Sequence, residues 1–224
     1  MNTRKVLAEL VGTFLFLTIG YVSVANFGAT EESVPSLLVV PFSFGLGLLA
    51  AIFAVGHVSG GHFNPAVTVA MILDKRTTPV DGAGYIVAQI IGAIGAAAVV
   101  LLTVSQTAVL NGVTKPGPGI TDISALVLET IFTAVFLAVI LASTKRSPAL
   151  AALAIPLTLV AIHFGIAVLT GSSVNPARSI GSAVVGGDLN ALWIYLVGPT
   201  LGGIIGWGIW RAVDGGAEEP APAV

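Results

Sequence analysis

The sequence predicts an all-α membrane protein: six transmembrane helices plus two re-entrant half-helices, arranged as an inverted repeat. Three observations lead there. Only 9% of the 224 residues are charged and 55% are hydrophobic, against about 25% charged in soluble domains. Apolar runs long enough to cross a bilayer recur six times. Finally, residues 58–68 (VSGGHFNPAVT) and 169–179 (LTGSSVNPARS) align without a gap and share the pattern S/T-G-x-x-F/V-N-P-A-x-T/S.

The spans fall at 5–27, 36–56, 80–104, 122–143, 149–169 and 190–211. The first follows a short basic start and superficially looks like a secretory leader. It is longer than a leader core, carries Glu9 and lacks a convincing small-residue cleavage site, so it reads as a retained span. Breaks between spans carry loop chemistry: EES at 31–33, DKR at 74–76, KPGPG at 115–119 and TKRSP at 144–148. The halves are expected at about 1–104 and 121–213 of one domain, with a disordered cytoplasmic tail at 214–224 rich in Gly, Pro, Ala and Glu.

Two shorter runs, 64–73 and 175–186, each begin with Asn-Pro-Ala: Asn64, Pro65, Ala66 and Asn175, Pro176, Ala177. Asn caps free N–H groups and Pro suits the first helical position, so each box is a helix start. About ten residues make roughly 15 Å of helix, too short to span.

Basic residues set the orientation. With the N-terminus inside, Arg4, Lys5, Lys75, Arg76, Lys145, Arg146 and Arg211 are cytoplasmic and only Lys115 is outside. The positive-inside rule therefore puts both termini in the cytoplasm. The first short run then enters from inside and the second from outside. Three spans per half invert the second half, so the two half-helix N-termini point at each other near the midplane.

Other positions repeat. Glu9 in span one matches Glu129 in span four, and small residues recur every four positions at Gly84, Ala88, Gly92 and Ala96, and at Gly198, Gly202 and Gly206. Such stripes let helix backbones approach closely in lipid. A carboxylate inside a span is costly unless satisfied. Glu9 and Glu129 read either as a proton relay or as braces for loop N–H groups, and their symmetric placement favours bracing. Gln89 reads similarly, with Pro199 in the matching place. His57 and His62 flank the first loop and read as scaffolding.

The doubled Asn-Pro-Ala box, in its flanking blocks SGGHFNPAVT and SVNPARS, closely resembles the aquaporin (major intrinsic protein) family, and within it the bacterial water-selective branch. The resemblance covers nearly the whole chain, from Glu9 to Gly206. It implies one pore per subunit, a homotetramer in the plasma (inner) membrane, water as the permeant and no cofactor. It also implies a constriction built from Phe44, His163, Ser172 and Arg178. Arg178 has an independent argument, because a lone Arg at membrane depth should face a cavity or a partner. At Phe44 the sequence leaves a choice, since Phe42 lies two residues away. His163 stands where the glycerol-conducting branch resembles glycine, and Ser179 where that branch tends to have Asp; both departures favour water.

In such a pore each half-helix tip carries roughly half a positive charge, so a cation about 4 Å from both meets about 4 kcal/mol of repulsion at an effective dielectric near 20. Water escapes that penalty, and the Asn amides are expected to offer it donors. This is the general account of aquaporin-type pores, applied to this chain. The expected function is passive water conduction. A channel also passing glycerol, ammonia or another small neutral solute is the alternative, and a proton-coupled carrier using Glu9 and Glu129 is the alternative from another class. No nucleophile–base set or metal-ligand cluster suggests an enzyme, the chain has no Cys, and no basic patch suggests nucleic acid.

Overall fold

The computed structural model describes residues 1–27 and 34–214. The acidic break at 31–33 and the expected tail after Asp214 lie outside the described residues. Helices form at α1 (Thr3–Phe27), α2 (Val34–Ala51), α3 (Pro65–Leu73), α4 (Pro79–Thr103), α5 (Gln106–Asn111), α6 (Asp122–Arg146), α7 (Pro148–Thr170), α8 (Pro176–Gly186) and α9 (Leu192–Asp214). A π turn at Ile52–Gly56 and a last turn at His57–Ser59 prolong α2. Counted so, six helices among the described residues are long and apolar enough to cross a membrane, and α3, α5 and α8 are short.

Local chemistry explains the starts. Asn64, Thr78, Ser105, Thr121 and Asn175 each accept a backbone N–H from the first turn that follows, and proline occupies the first turn of α3, α4, α7 and α8. Two ends differ from the sequence expectation. The last helix runs on to Asp214 because that carboxylate accepts from Lys145 Nζ at 2.7 Å and from Arg146, which ties it to the end of α6. The connection after α4 contains the extra helix α5, whose Gln106 Nε2 donates to the Gly186 carbonyl at 2.7 Å and so holds the far end of α8.

Packing follows the repeat. In the first half α1 lies against α2 and α4; in the second, α6 lies against α7 and α9. The halves interlock, since α2 packs on α7, half-helix α8 on α4 and half-helix α3 on α9. Two close backbone crossings sit at matching glycines. A Cβ on Gly92 would stand 2.6 Å from the Leu10 carbonyl oxygen, and one on Gly202 would collide with that of Thr130. These backbones touch as the small-residue stripes require. Many large apolar side chains on the outer surface, among them Phe53, Leu102 and Val168, are exposed, as suits a lipid-facing surface.

Candidate functional site

The loops leading into α3 and α8 share an unusual backbone. Gly60, Gly61 and Phe63 have φ of 100°, 66° and 47°; the matching Gly171, Ser172 and Val174 have 74°, 41° and 46°. Non-glycine residues adopt such angles at a cost of order 1–3 kcal/mol each, so the surroundings must hold them there.

The buried carboxylates meet these loops. Glu9 Oε1 accepts from Ser59 Oγ at 2.6 Å and the His62 N–H at 2.9 Å; its Oε2 accepts from the Phe63 N–H at 2.6 Å and Gln89 Nε2 at 2.7 Å. Glu129 repeats the pattern with Thr170 Oγ1 at 2.7 Å, the Ser173 N–H at 2.9 Å and the Val174 N–H at 2.8 Å. Each carboxylate therefore satisfies the amide of the strained residue just before the Asn. Gln89 also donates to Thr68 Oγ1 at 2.9 Å, and His62 Nδ1 lies 3.1 Å from the same hydroxyl. His57 is exposed.

Asn64 and Asn175 join the halves. Their side-chain oxygens cap α3 and α8, accepting from the Ala66 N–H at 2.9 Å and the Ala177 N–H at 3.0 Å. Asn64 Nδ2 donates to the Val174 carbonyl at 2.8 Å, and Asn175 Nδ2 donates to the Phe63 carbonyl at 2.9 Å. The sequence predicts that both amide N–H groups of each Asn are free for a passing oxygen. In the structure each amide spends one on the opposite loop and keeps one.

A cavity adjoins this junction. Its wall is apolar at Leu48, Ile140 and Leu159 and polar at His62, Asn64, Ser173, Asn175 and Thr144. Neither Glu9 nor Glu129 lines it.

One turn along α7 from Leu159 lies the second cluster. His163 Nδ1 meets the Leu159 carbonyl at 3.0 Å, which makes Nδ1 the donor and leaves Nε2 outward. The Phe44 ring stacks on His163, centroids 4.7 Å apart, whereas Phe42 is exposed and packs on Phe164. The choice between the two phenylalanines therefore resolves to Phe44 as the inward ring. Arg178 Nη1 donates to the Gly112 carbonyl at 2.6 Å and Ser182 Oγ at 3.2 Å, with its guanidinium 5.5 Å from the Phe44 ring centre. Among the described residues no carboxylate pairs with Arg178. His163 Nε2, Ser172 Oγ and Arg178 Nε are buried without a hydrogen-bond partner. Buried polar atoms are rarely left so; among the described residues four others, on Thr13, Thr18, Gln89 and Thr133, share that state.

Four contributors escape sequence reading. Tyr85 and Tyr195, at matching places on α4 and α9, donate to the carbonyls of Ser59 (3.0 Å) and Thr170 (2.7 Å). Tyr21 donates to the Arg178 carbonyl, and Gly112, whose N–H closes α5, offers its carbonyl to Arg178 Nη1. The two matching tyrosines each stand three places before a residue of the small-residue stripe, the one signal that the sequence offers for them.

Two inverted half-helices that meet tip to tip, with a cavity on one side and an aromatic–arginine cluster on the other, define a membrane channel protein. The chain belongs to the major intrinsic protein family, whose family model matches residues 1–210. It is 41% identical to "Aquaporin Z" of Photorhabdus laumondii over 93% of this chain and 96% of that one. It is 40% identical to "Glycerol uptake facilitator protein-like 6" of Lactiplantibacillus plantarum, covering 90% of this chain and 94% of that one. The X-ray structure of the aquaglyceroporin from Plasmodium falciparum superposes with a TM-score of 0.86 over 95% of this chain and 96% of that one, at 23% identity, and so shares the fold.

Proposed function

We propose that this channel conducts water passively and is narrowed against larger solutes by Phe44, His163, Ser172 and Arg178. The observation that carries the reading is the pair of unpartnered nitrogens His163 Nε2 and Arg178 Nε, whose side chains stand against the Phe44 ring, together with the unpartnered Ser172 Oγ. A water molecule offers both donors and acceptors, so it suits an acceptor nitrogen, a hydroxyl and a guanidinium N–H together. Asn64 and Asn175 supply one remaining N–H each at the half-helix tips, where the paired helix ends oppose cations. Glu9 and Glu129 serve as braces. Their oxygens are occupied by loop donors and stand apart from the cavity, which argues against the proton-coupled carrier.

The similarity to the Lactiplantibacillus protein named for glycerol uptake keeps a second reading in view, a channel that also passes glycerol. A filter with His at position 163 and two aromatic or cationic walls leaves little room for a carbon chain, which favours water. The family's homotetramer completes the proposal, as does a plasma (inner) membrane location with both termini cytoplasmic, the latter on charge placement.

Stopped-flow light scattering on proteoliposomes tests it. Fast shrinkage under an impermeant osmolyte, slow glycerol entry and unchanged internal pH are expected. Glycerol entry as fast as water would replace this reading with the second.

A further inference from the structure

We propose that Tyr21 is a positioning and specificity-determining residue of the constriction, holding Arg178 by its backbone and by its guanidinium at once. The inference rests on the reading of Arg178 as part of the filter.

The geometry is specific. The Tyr21 hydroxyl donates to the Arg178 carbonyl, and the Arg178 guanidinium carbon stands 5.6 Å from the Tyr21 ring centre. The Tyr21 ring also meets the Phe44 ring edge-on, centroids 6.5 Å apart. One side chain thus touches the main chain of the arginine, its charge and the aromatic wall opposite. The ring is 4% exposed. It lines a small void that Gly112 and Ser182, the two acceptors of Arg178 Nη1, line as well. Tyr21 is therefore a further support of the arginine, beside those two and the Gly171 carbonyl that accepts from Nη2 at 3.5 Å.

The internal repeat supplies the contrast. The places that match Tyr21 and Arg178 in the opposite halves are Leu141 on α6 and Val67 on α3. Both are buried in the apolar core. The scaffold therefore packs here without a hydroxyl or a cation, and the tyrosine occurs in the half that faces the arginine. A buried hydroxyl bonded to a carbonyl fixes the backbone from which the arginine side chain springs, and the ring face attracts the guanidinium. Removing the ring adds its volume to the void and gives both Arg178 and Phe44 space to shift.

The test compares Tyr21→Phe, Tyr21→Ala, Leu141→Ala and Arg178→Val in proteoliposomes, reading water and glycerol permeability and the Tm of each. Tyr21→Phe keeps the ring and loses the hydroxyl, so it should fold and show an intermediate change. Tyr21→Ala should lower the water-to-glycerol ratio by roughly tenfold, the scale of one lost buried hydrogen bond and its packing. Leu141→Ala should lower Tm and leave the ratio unchanged, because its volume loss touches no filter group. If Arg178→Val shifts the ratio and both Tyr21 variants leave it as in the parent, the role of Tyr21 is overturned and the filter stands. If Arg178→Val also leaves it unmoved, the filter assignment falls and this inference with it.

Discussion

Asn64 and Asn175 are linked by reciprocity: each donates to the carbonyl just before the other, at 2.8 and 2.9 Å, while capping its own half-helix. The two halves of the chain thus meet through a pair of hydrogen bonds that neither half can make alone. The half-helix tips cannot separate or slide without breaking both.

The reciprocity makes Asn→Asp the informative change at this place. Aspartate still caps a helix, so α3 or α8 should persist. It cannot donate, so the cross-link to the other loop is lost, and its charge cancels the roughly half-unit positive ends that supply about 4 kcal/mol against a cation. Asn175→Asp is expected to admit measurable sodium flux in vesicles, with reduced water permeability. Vesicles as tight to sodium as those of the parent would place cation exclusion elsewhere.

The carboxylate braces differ in a way that stability can read. Both oxygens of Glu9 accept two donors, so Glu9→Gln sets an NH₂ against two donors whichever way the amide turns. Among the described residues Glu129 Oε2 accepts only the Val174 N–H, so Glu129→Gln can sacrifice a single bond. With about 1–3 kcal/mol per unsatisfied buried donor, Glu9→Gln should lower Tm clearly more than Glu129→Gln in thermal unfolding in detergent. Water flux without acidification should survive in Glu129→Gln. Equal losses of Tm would mean that the loops rearrange around the amide.

Much of this site is legible in the sequence. An Asn-Pro pair heading a run too short to span carries its own meaning, and basic-residue counting supplies an expected direction. What stays hidden has a physical cause. Tyr21, Tyr85 and Tyr195 bond to backbone carbonyls, which every residue owns and no sequence labels. Gly112 contributes through its carbonyl, invisible by the same logic. Phe42 and Phe44 cannot be ranked on a helix so uniformly apolar, because the usual polar face that fixes rotation is absent in lipid. Helix α5 is too short for a periodic signal.

Phe42 and Phe44 now make a matched pair. Phe44 is buried against His163, Phe16 and Tyr21, whereas Phe42 lies outside against Phe164. Phe44→Ala combined with His163→Gly should raise glycerol permeability several-fold, and Phe42→Ala with His163→Gly should match His163→Gly alone. The comparison is made by light scattering under a glycerol gradient. Equal effects of the two phenylalanines would detach the constriction from this stacked pair.

The glycine crossings give a prediction independent of transport. A methyl group on Gly202 would collide with the Thr130 carbonyl oxygen and stand 2.7 Å from Thr133 Cβ, backbone and branched side chain that cannot swing aside. Gly92 meets the Leu10 carbonyl in the same manner, whereas a Cβ on Gly208, on the same helix as Gly202, meets nothing within 4 Å. Overpacking a well-fitted contact costs about 1–3 kcal/mol, and pushing α9 off α6 also pulls at half-helix α3, because Gly203 already brings α9 against the Ala66 carbonyl at 2.9 Å from its would-be Cβ. Gly202→Ala should therefore lower both Tm and water permeability. Gly208→Ala should leave both unchanged or raise Tm slightly, since alanine replaces a flexible residue in a helix. If Gly202→Ala behaved like Gly208→Ala, the α6–α9 crossing would not be the contact that holds the half-helix in place.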